Sequence, residues 1–212
     1  MKLQVALDVL SINTAIKIAE KALKGGAEII EAGTPLIKYN GVRAIEALRK
    51  QFPDSTIVAD MKTIDAGSLE AEIAFQYGAD IVTVLGLASD TTIREVVRIA
   101  REYNGKVMVD LMLVENKLKR VKELELMDID YIIVHTGLDE QKEGKTPFKD
   151  LKLLHDQTFI PIAVAGGITD KNISMIKNLR VDIVIVGGYI TKSPNPEKAA
   201  RTLVKILGEI NG

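Results

Sequence analysis

Cysteine is missing altogether from the 212 residues, and so are a dominant charge sign, a long apolar run and any low-complexity segment. Without cysteine there are no disulfides, no thiolate metal ligands and no cysteine nucleophile, which fits a reducing compartment. A net charge of −1 gives no overall field to recruit nucleic acid or an anionic membrane surface, so any recognition by charge has to be local. No run approaches membrane-spanning length, and Met1–Asp8 is too short and too soon interrupted by charge for a signal peptide. The expectation is a cytoplasmic protein with neither nucleic acid nor membrane among its partners. Linkers are absent too, and a length near the lower bound for a (β/α)8 barrel predicts one domain over residues 1–212.

What is present is apolar and periodic. Hydrophobic residues make up 47% of the chain, enough for a sizeable core. Eight short Val- and Ile-rich runs recur, at Gln4–Asp8, Glu28–Ala32, Thr56–Asp60, Asp80–Leu85, Lys106–Leu111, Asp130–His135, Pro161–Ala165 and Asp182–Val186. Each is followed by a longer segment of helical periodicity, and eight such alternations are the count of a TIM barrel, a (β/α)8 fold of the α/β class. The runs are apolar along their length rather than alternating, as parallel strands covered on both sides are. A repeat supports the barrel. Glu28-Ile29-Ile30, Asp80-Ile81-Val82, Asp130-Tyr131-Ile132 and Asp182-Ile183-Val184 recur at about 51 residues, marking a module of two β/α units. Between them Val5–Asp8, Ile57–Asp60 and Val107–Asp110 finish on aspartate, and Pro161–Ala165 runs into Gly166-Gly167.

Caps fill the intervals: Ser11 or Asn13 for the first helix, Asp90 for the fourth, Asp170 for the seventh, and Asn195 ahead of Pro196 for the last. The charged stretch Asp139–Lys145 has no apolar anchor and is expected to be a mobile loop on the catalytic face. His155, inside the helical segment Phe148–Gln157, is assigned to the surface.

In a barrel of this kind functional groups gather at the C-terminal ends of the strands. Those ends carry six groups, Asp8, Glu31, Asp60, Lys62, Asp110 and His135. Singly, each also reads as a helix cap or an edge charge; together on one rim they point to a site. Asp60 and Lys62 stand two apart and project to one side, and Asp65 follows at the entry of the next helix, where N-capping is its other reading. An ammonium between carboxylates stays protonated and suits stabilising an anion better than abstracting a proton. Glu31 and Asp60 end neighbouring strands with the oxygen donors that Mg²⁺ prefers, Mn²⁺ being the alternative ion; the competing reading is a salt bridge to Lys62 alone. His135 carries the side chain best matched to moving protons near neutral pH, against the reading of a satisfied core histidine. Gly166-Gly167 and Gly187-Gly188, after the seventh and eighth runs, leave backbone N–H groups open to a phosphate, with tight turns as the other reading of either pair.

On these residues the chain resembles the orotidine 5′-phosphate decarboxylase suprafamily, whose marker Asp-x-Lys-x-x-Asp matches Asp60, Lys62 and Asp65. Within it the sequence is similar to the 3-hexulose-6-phosphate synthase family. The similarity runs from "LQVALD" (Leu3–Asp8) through "EAGTPLIK" (Glu31–Lys38), "ADMKTIDAG" (Ala59–Gly67), "GADIVTVLG" (Gly78–Gly86), "VMVDL" (Val107–Leu111) and "HTGLDEQ" (His135–Gln141) to "VAGGI" (Val164–Ile168) and "VGGYIT" (Val186–Thr191). It implies a reversible aldol reaction in which formaldehyde and D-ribulose 5-phosphate give D-arabino-hex-3-ulose 6-phosphate, with Mg²⁺. It implies further that Glu31 and Asp60 hold the metal, that Lys62 stabilises an enediolate and that His135 removes the C1 proton. Asp8 and Asp110 orient substrate hydroxyls on this reading, and the glycines bind phosphate. A homodimer with shared active sites comes with it, Asp65 reaching into the partner's pocket.

Two other readings compete. The 3-keto-L-gulonate-6-phosphate decarboxylase family carries an arginine three residues after the histidine and another after the strand-eight glycine, where this chain has Leu138 and Tyr189; it also has glutamate at the place of Asp110. A non-catalytic barrel that binds a sugar phosphate would keep the glycine pairs but has no use for His135 beside Lys62.

Overall fold

The structure is a computed structural model that describes residues 1–211. Its eight strands are β1 (Lys2–Leu7), β2 (Ile29–Ala32), β3 (Thr56–Thr63), β4 (Ile81–Leu85), β5 (Lys106–Asp110), β6 (Tyr131–His135), β7 (Ile162–Ala165) and β8 (Ile183–Val186). All pair in parallel with their sequence neighbours, and β8 pairs back onto β1 to close a (β/α)8 barrel. Each strand falls on one of the expected runs. Only β3 goes well beyond its run, to Thr63, and it does so through an irregular register against β4.

The apolar runs divide their side chains by the two-residue period of a strand. Val5, Ile30, Ile57, Val82, Val107 and Ile132 point outward into the layer shared with the helices. Ala6, Ile29, Val58, Ile81, Met108, Ile133, Ala163 and Ile183 form a separate cluster inside the barrel. Continuous hydrophobicity along each run is therefore the sum of two faces, both covered.

The outer layer consists of α1 (Ile12–Lys24), α2 (Thr34–Asn40), α3 (Arg43–Gln51), α4 (Gly67–Gln76), α5 (Asp90–Glu102), α6 (Lys117–Leu124), α7 (Leu138–Lys142), α8 (Phe148–Leu154), α9 (Gly188–Thr191) and α10 (Pro196–Asn211). Ser11 caps α1 by accepting the Thr14 N–H, and Asn195 accepts the Lys198 N–H at the start of α10, both as expected. Asp90 does not cap α5. Ser89, one residue earlier, accepts the Thr92 N–H, and Asp90 becomes the first helical residue. Nor does Asp170 cap a seventh long helix: between β7 and β8 the chain makes only a 3₁₀ turn, Ile173–Ile176, and Asn172 rather than Asp170 accepts the Thr169 N–H beside it. Asp139–Lys145 is also not an unanchored loop. Its first half is the short helix α7, pinned by the bond from Gln141 to the Thr136 carbonyl at 2.9 Å and by the Lys142–Asp139 and Lys145–Glu140 ion pairs. His155, expected on the surface, ends α8 half-buried, with Nδ1 2.9 Å from Asp156.

The repeated acidic residue has its explanation at the N-terminal end of the barrel. Asp80, Asp130 and Asp182 each accept the N–H of Ile57, Val107 and Ile162 in turn, at 2.7, 2.9 and 2.9 Å. An even strand thereby satisfies a backbone donor at the start of the odd strand before it, a recurring demand wherever a parallel strand begins. Arg49 braces Asp80 and Arg101 braces Asp130. Asp130→Ala strands the Val107 N–H and takes one of two carboxylate partners from Arg101, which keeps Asp128, so chemical denaturation is expected to show a loss of about 1–3 kcal/mol, while steady-state turnover stays at the native value.

Candidate functional site

The mouth of the barrel is built by the same two-residue phase. Two positions beyond the interior residues Ala6, Ile29, Val58, Ile81, Met108 and Ile133 stand Asp8, Glu31, Asp60, Thr83, Asp110 and His135. The inner wall thus changes from apolar to polar over one step along β1 to β6, while β7 and β8 stay apolar with Ala165 and Ile185. Glu31, Asp60 and Asp110 are 7%, 5% and 0% exposed, so these are buried charges that need partners.

Lys62 supplies one. Its ammonium lies 3.0 and 2.9 Å from the two oxygens of Asp60 and 3.1 Å from Asp110 Oδ2. Asp110 Oδ2 in turn lies 2.8 Å from His135 Nδ1, and the Met112 N–H donates to Asp110 Oδ1 at 2.9 Å. Asp60, Lys62, Asp110 and His135 are therefore one continuous chain across three strands. With Nδ1 donating to the carboxylate, Nε2 is left as the basic nitrogen of the ring.

Lys62 reaches this place through an unusual backbone. Its φ is +47°, in the left-handed region that costs a residue with a Cβ roughly 1 kcal/mol. The strain coincides with the shift of register between Ala59 and Thr63, where β3 bulges. The Lys62 N–H is held by Thr83 Oγ1 at 3.0 Å, and the same hydroxyl donates to Asp60 Oδ1 at 2.8 Å. Thr34 Oγ1 donates to Asp60 Oδ2 at 2.6 Å.

Electrostatics follow from this packing. Burial alone would lower the Lys62 pKa, but the charges of Asp60 and Asp110 and the bond to Asp60 outweigh it and hold the ammonium above the usual lysine range. Burial would likewise raise Asp110; the charge and hydrogen bond of His135, then Lys62 and the Met112 N–H, bring it down to about 2. Glu31 goes the other way, pushed well up by burial and by the neighbouring Asp60 and Asp8 carboxylates. Gln4 Nε2 donates to Glu31 Oε2, which only partly offsets that repulsion. Asp8 opens to solvent at the mouth, yet the crowded rim and the Asp60 charge raise it as well.

Three carboxylates crowding one another beside a single ammonium make an excess of negative charge on hard oxygen donors. Among the described residues no three such groups form a finished metal cage. Two carboxylates with room for substrate and water oxygens is nonetheless the donor set that suits Mg²⁺, and Glu31 with Asp60 fits it.

The glycines frame the mouth. Gly166 has φ +112°, and a Cβ there would come within 2.5 Å of the Thr136 carbonyl oxygen, so only glycine fits between β7 and β6. Gly167 lies under Gln141, Gly187 faces Asp8, and Gly188 begins α9, where a Cβ would meet only the Lys192 side chain at 3.9 Å. Gly33, which sequence reasoning passed over, is as demanding, since a Cβ there would meet Asp8 Oδ1 at 2.3 Å. Asp65 is the residue the structure does not bring in. It is exposed, bonded to no other described side chain, and does not cap α4, whose cap position is Ala66 in a left-handed turn (φ +52°). Gln4, Thr34 and Thr83 were also missed. Gln4 and Thr83 had a signal, being polar at interior positions of apolar strands; Thr34 had none, because its role depends on how α2 approaches β3.

Residues 1–203 match the family described as orotidine 5′-phosphate decarboxylase / HUMPS. The chain belongs to that family. A curated relative named 3-hexulose-6-phosphate synthase, from Mycobacterium gastri, is 41% identical over 96% of this chain and 98% of its own. The crystal structure of 3-hexulose-6-phosphate synthase from Salmonella typhimurium superposes with a TM-score of 0.95 at 38% identity, covering 99% of this chain and 100% of that one. A crystal structure of KGPDC from Streptococcus mutans, in a ligand complex, follows with a TM-score of 0.93 at 30% identity, covering 99% of this chain and 98% of that one. This member of the family is an enzyme, and the resemblance carried by its motifs extends over nearly the whole barrel.

Asp110 gives a test of the electrostatics. Its folded pKa, about 2, lies below the ordinary 3.8, so its pairing adds stability above about pH 4 and loses it as pH falls toward 2. Urea unfolding of the native protein and of Asp110→Asn is expected to differ by about 2 kcal/mol near neutral pH, the gap narrowing between pH 4 and pH 2.

Proposed function

We propose that the protein joins formaldehyde to D-ribulose 5-phosphate in a reversible aldol reaction, giving D-arabino-hex-3-ulose 6-phosphate through an enediolate. The observation that carries this reading is the unbroken chain from Asp60 through Lys62 and Asp110 to His135, set beside the second buried carboxylate Glu31. Forming an enediolate needs a base on carbon and positive charge at oxygen, and this arrangement offers both. His135 Nε2, its tautomer set by Asp110, takes the C1 proton. Lys62, kept charged by its two aspartates, stays protonated and faces the oxygen that becomes negative. The enediolate carbon then attacks the formaldehyde carbon, and the new alkoxide takes up a proton. Mg²⁺, or Mn²⁺ in its place, held by Glu31 and Asp60 would supply Lewis acidity at the substrate oxygens. Asp8 and Asp110 accept from sugar hydroxyls, and the turns at Gly166-Gly167 and Gly187-Gly188 receive the phosphate.

The nearer rival is decarboxylation of 3-keto-L-gulonate 6-phosphate, favoured by the likeness to the Streptococcus mutans KGPDC. The places where that family carries arginines hold Leu138, with its side chain exposed, and Tyr189, so the groups expected to serve proton delivery to a decarboxylation product are missing. A non-catalytic sugar-phosphate barrel leaves the His135–Asp110 pair without a use.

A homodimer with shared sites completes the proposal, in a cytoplasmic setting. No helix among the described residues is long and apolar enough to cross a membrane. Support for the dimer comes from exposed apolar side chains on the same rim as the site: Leu10, Tyr39, Ile64, Leu69, Leu87 and Leu113, with Asp65 beside Ile64.

Formaldehyde consumption with ribulose 5-phosphate and Mg²⁺ is expected, and EDTA should stop it; release of CO₂ from the gulonate substrate instead would overturn the aldolase reading. Lys62→Ala and His135→Ala should each cut kcat by at least about 100-fold with the fold intact by circular dichroism, and near-native turnover in either removes that residue from the mechanism. Mixing inactive Lys62→Ala with inactive Asp65→Ala should restore about a quarter of native activity, since randomly paired subunits then share one intact site per mixed dimer. No restoration would confine Asp65 to its own chain.

A further inference from the structure

We propose that Thr83 is a positioning residue, whose hydroxyl holds both Lys62 and Asp60 in the geometry they need; this rests on the reading that those two residues serve the reacting oxygens. Between the paired positions Ala59↔Val82 and Thr63↔Val84, β3 has Asp60, Met61 and Lys62 where β4 has Thr83 alone. Three residues opposite one leave the Lys62 N–H without a ladder carbonyl, and Thr83 Oγ1 accepts it at 3.0 Å. A hydroxyl that accepts there still has one proton to give, and it goes to Asp60 Oδ1 at 2.8 Å.

Thr83 does this from a fixed place. It is 1% exposed, its β-branched side chain is stiff at χ1, and it sits on the interior face above the apolar Ile81. Thr34 also holds Asp60 but does not touch Lys62, so among the described residues Thr83 alone joins the left-handed backbone to the carboxylate. Valine would fill the same volume at this interior position and provide no acceptor for the N–H. A threonine in that register is accounted for by its hydroxyl rather than by packing.

The test pairs Thr83→Val with Thr83→Ser in the condensation assay, together with amide hydrogen exchange at Lys62. Thr83→Val should lower kcat by about 10- to 100-fold with the ribulose 5-phosphate KM changed far less, and should speed exchange of the Lys62 amide. Thr83→Ser should restore most of both. Native kcat in the valine variant, or a serine variant as impaired as valine, would overturn the proposal. If Thr83→Val does not fold, exchange in the native and serine proteins decides, and a Lys62 amide that exchanges as fast as an open loop overturns it. If the native protein shows no condensation at all, the functional reading fails, while exchange at Lys62 still reports whether Thr83 holds it.

Discussion

A lysine ammonium buried between two aspartates governs the mouth of this barrel. Lys62 can be sunk there only because Asp60 and Asp110 answer its charge, and those carboxylates can be buried only because further donors satisfy their remaining oxygens. Thr34, Thr83, the Met112 N–H and His135 are those donors. Removing any of them leaves a buried carboxylate oxygen short of a donor in a place that water reaches poorly. The cluster therefore behaves as a unit, and the tautomer of His135 is fixed by the same network that keeps Lys62 protonated.

The two ends of the barrel divide their duties. At the N-terminal end, Asp80, Asp130 and Asp182 quiet the first backbone donors of the strands, and the interior above them is packed with Ile, Val, Met and Ala. At the other end, Glu31 and Asp8 are placed where burial and mutual repulsion make them uncomfortable. Residues that would relieve that repulsion would stabilise the fold and erase the charge of the mouth, the usual opposition between stability and a working site.

The barrel was legible in the chain because its signal is periodic and local. Eight apolar runs, with an acidic residue opening every even one and an aspartate ending three of the four odd ones, admit few other arrangements, and all eight became strands. The rim charges were legible for the same reason: they lie in phase with the interior of their strands. What escaped was whatever depends on departures from regularity. The bulge in β3 has no sequence periodicity, so neither the left-handed Lys62 nor the role of Thr83 opposite it could be read. Asp65 resembled a helix cap, but the left-handed Ala66 delays α4 and turns Asp65 outward. Asp170 precedes a turn too short to need the cap it offers, and the charges of Asp139–Lys145 pair with one another within and just past a short helix instead of dispersing it.

The closing of β8 on β1 has a bearing on how the protein is made. Asp8, beside the first strand, is wedged between Gly33 and Gly187, and the register that holds β1 in place includes Leu3 opposite Val184. The carboxylate nearest the start of the chain thus waits for a glycine translated about 180 residues later before its surroundings exist. During synthesis the growing chain carries Glu31, Asp60, Lys62 and His135 well before it carries a barrel to hold them. A half-made chain on the ribosome accordingly has Glu31, Asp60 and Lys62 but neither Asp110 and His135 nor a closed mouth to hold them.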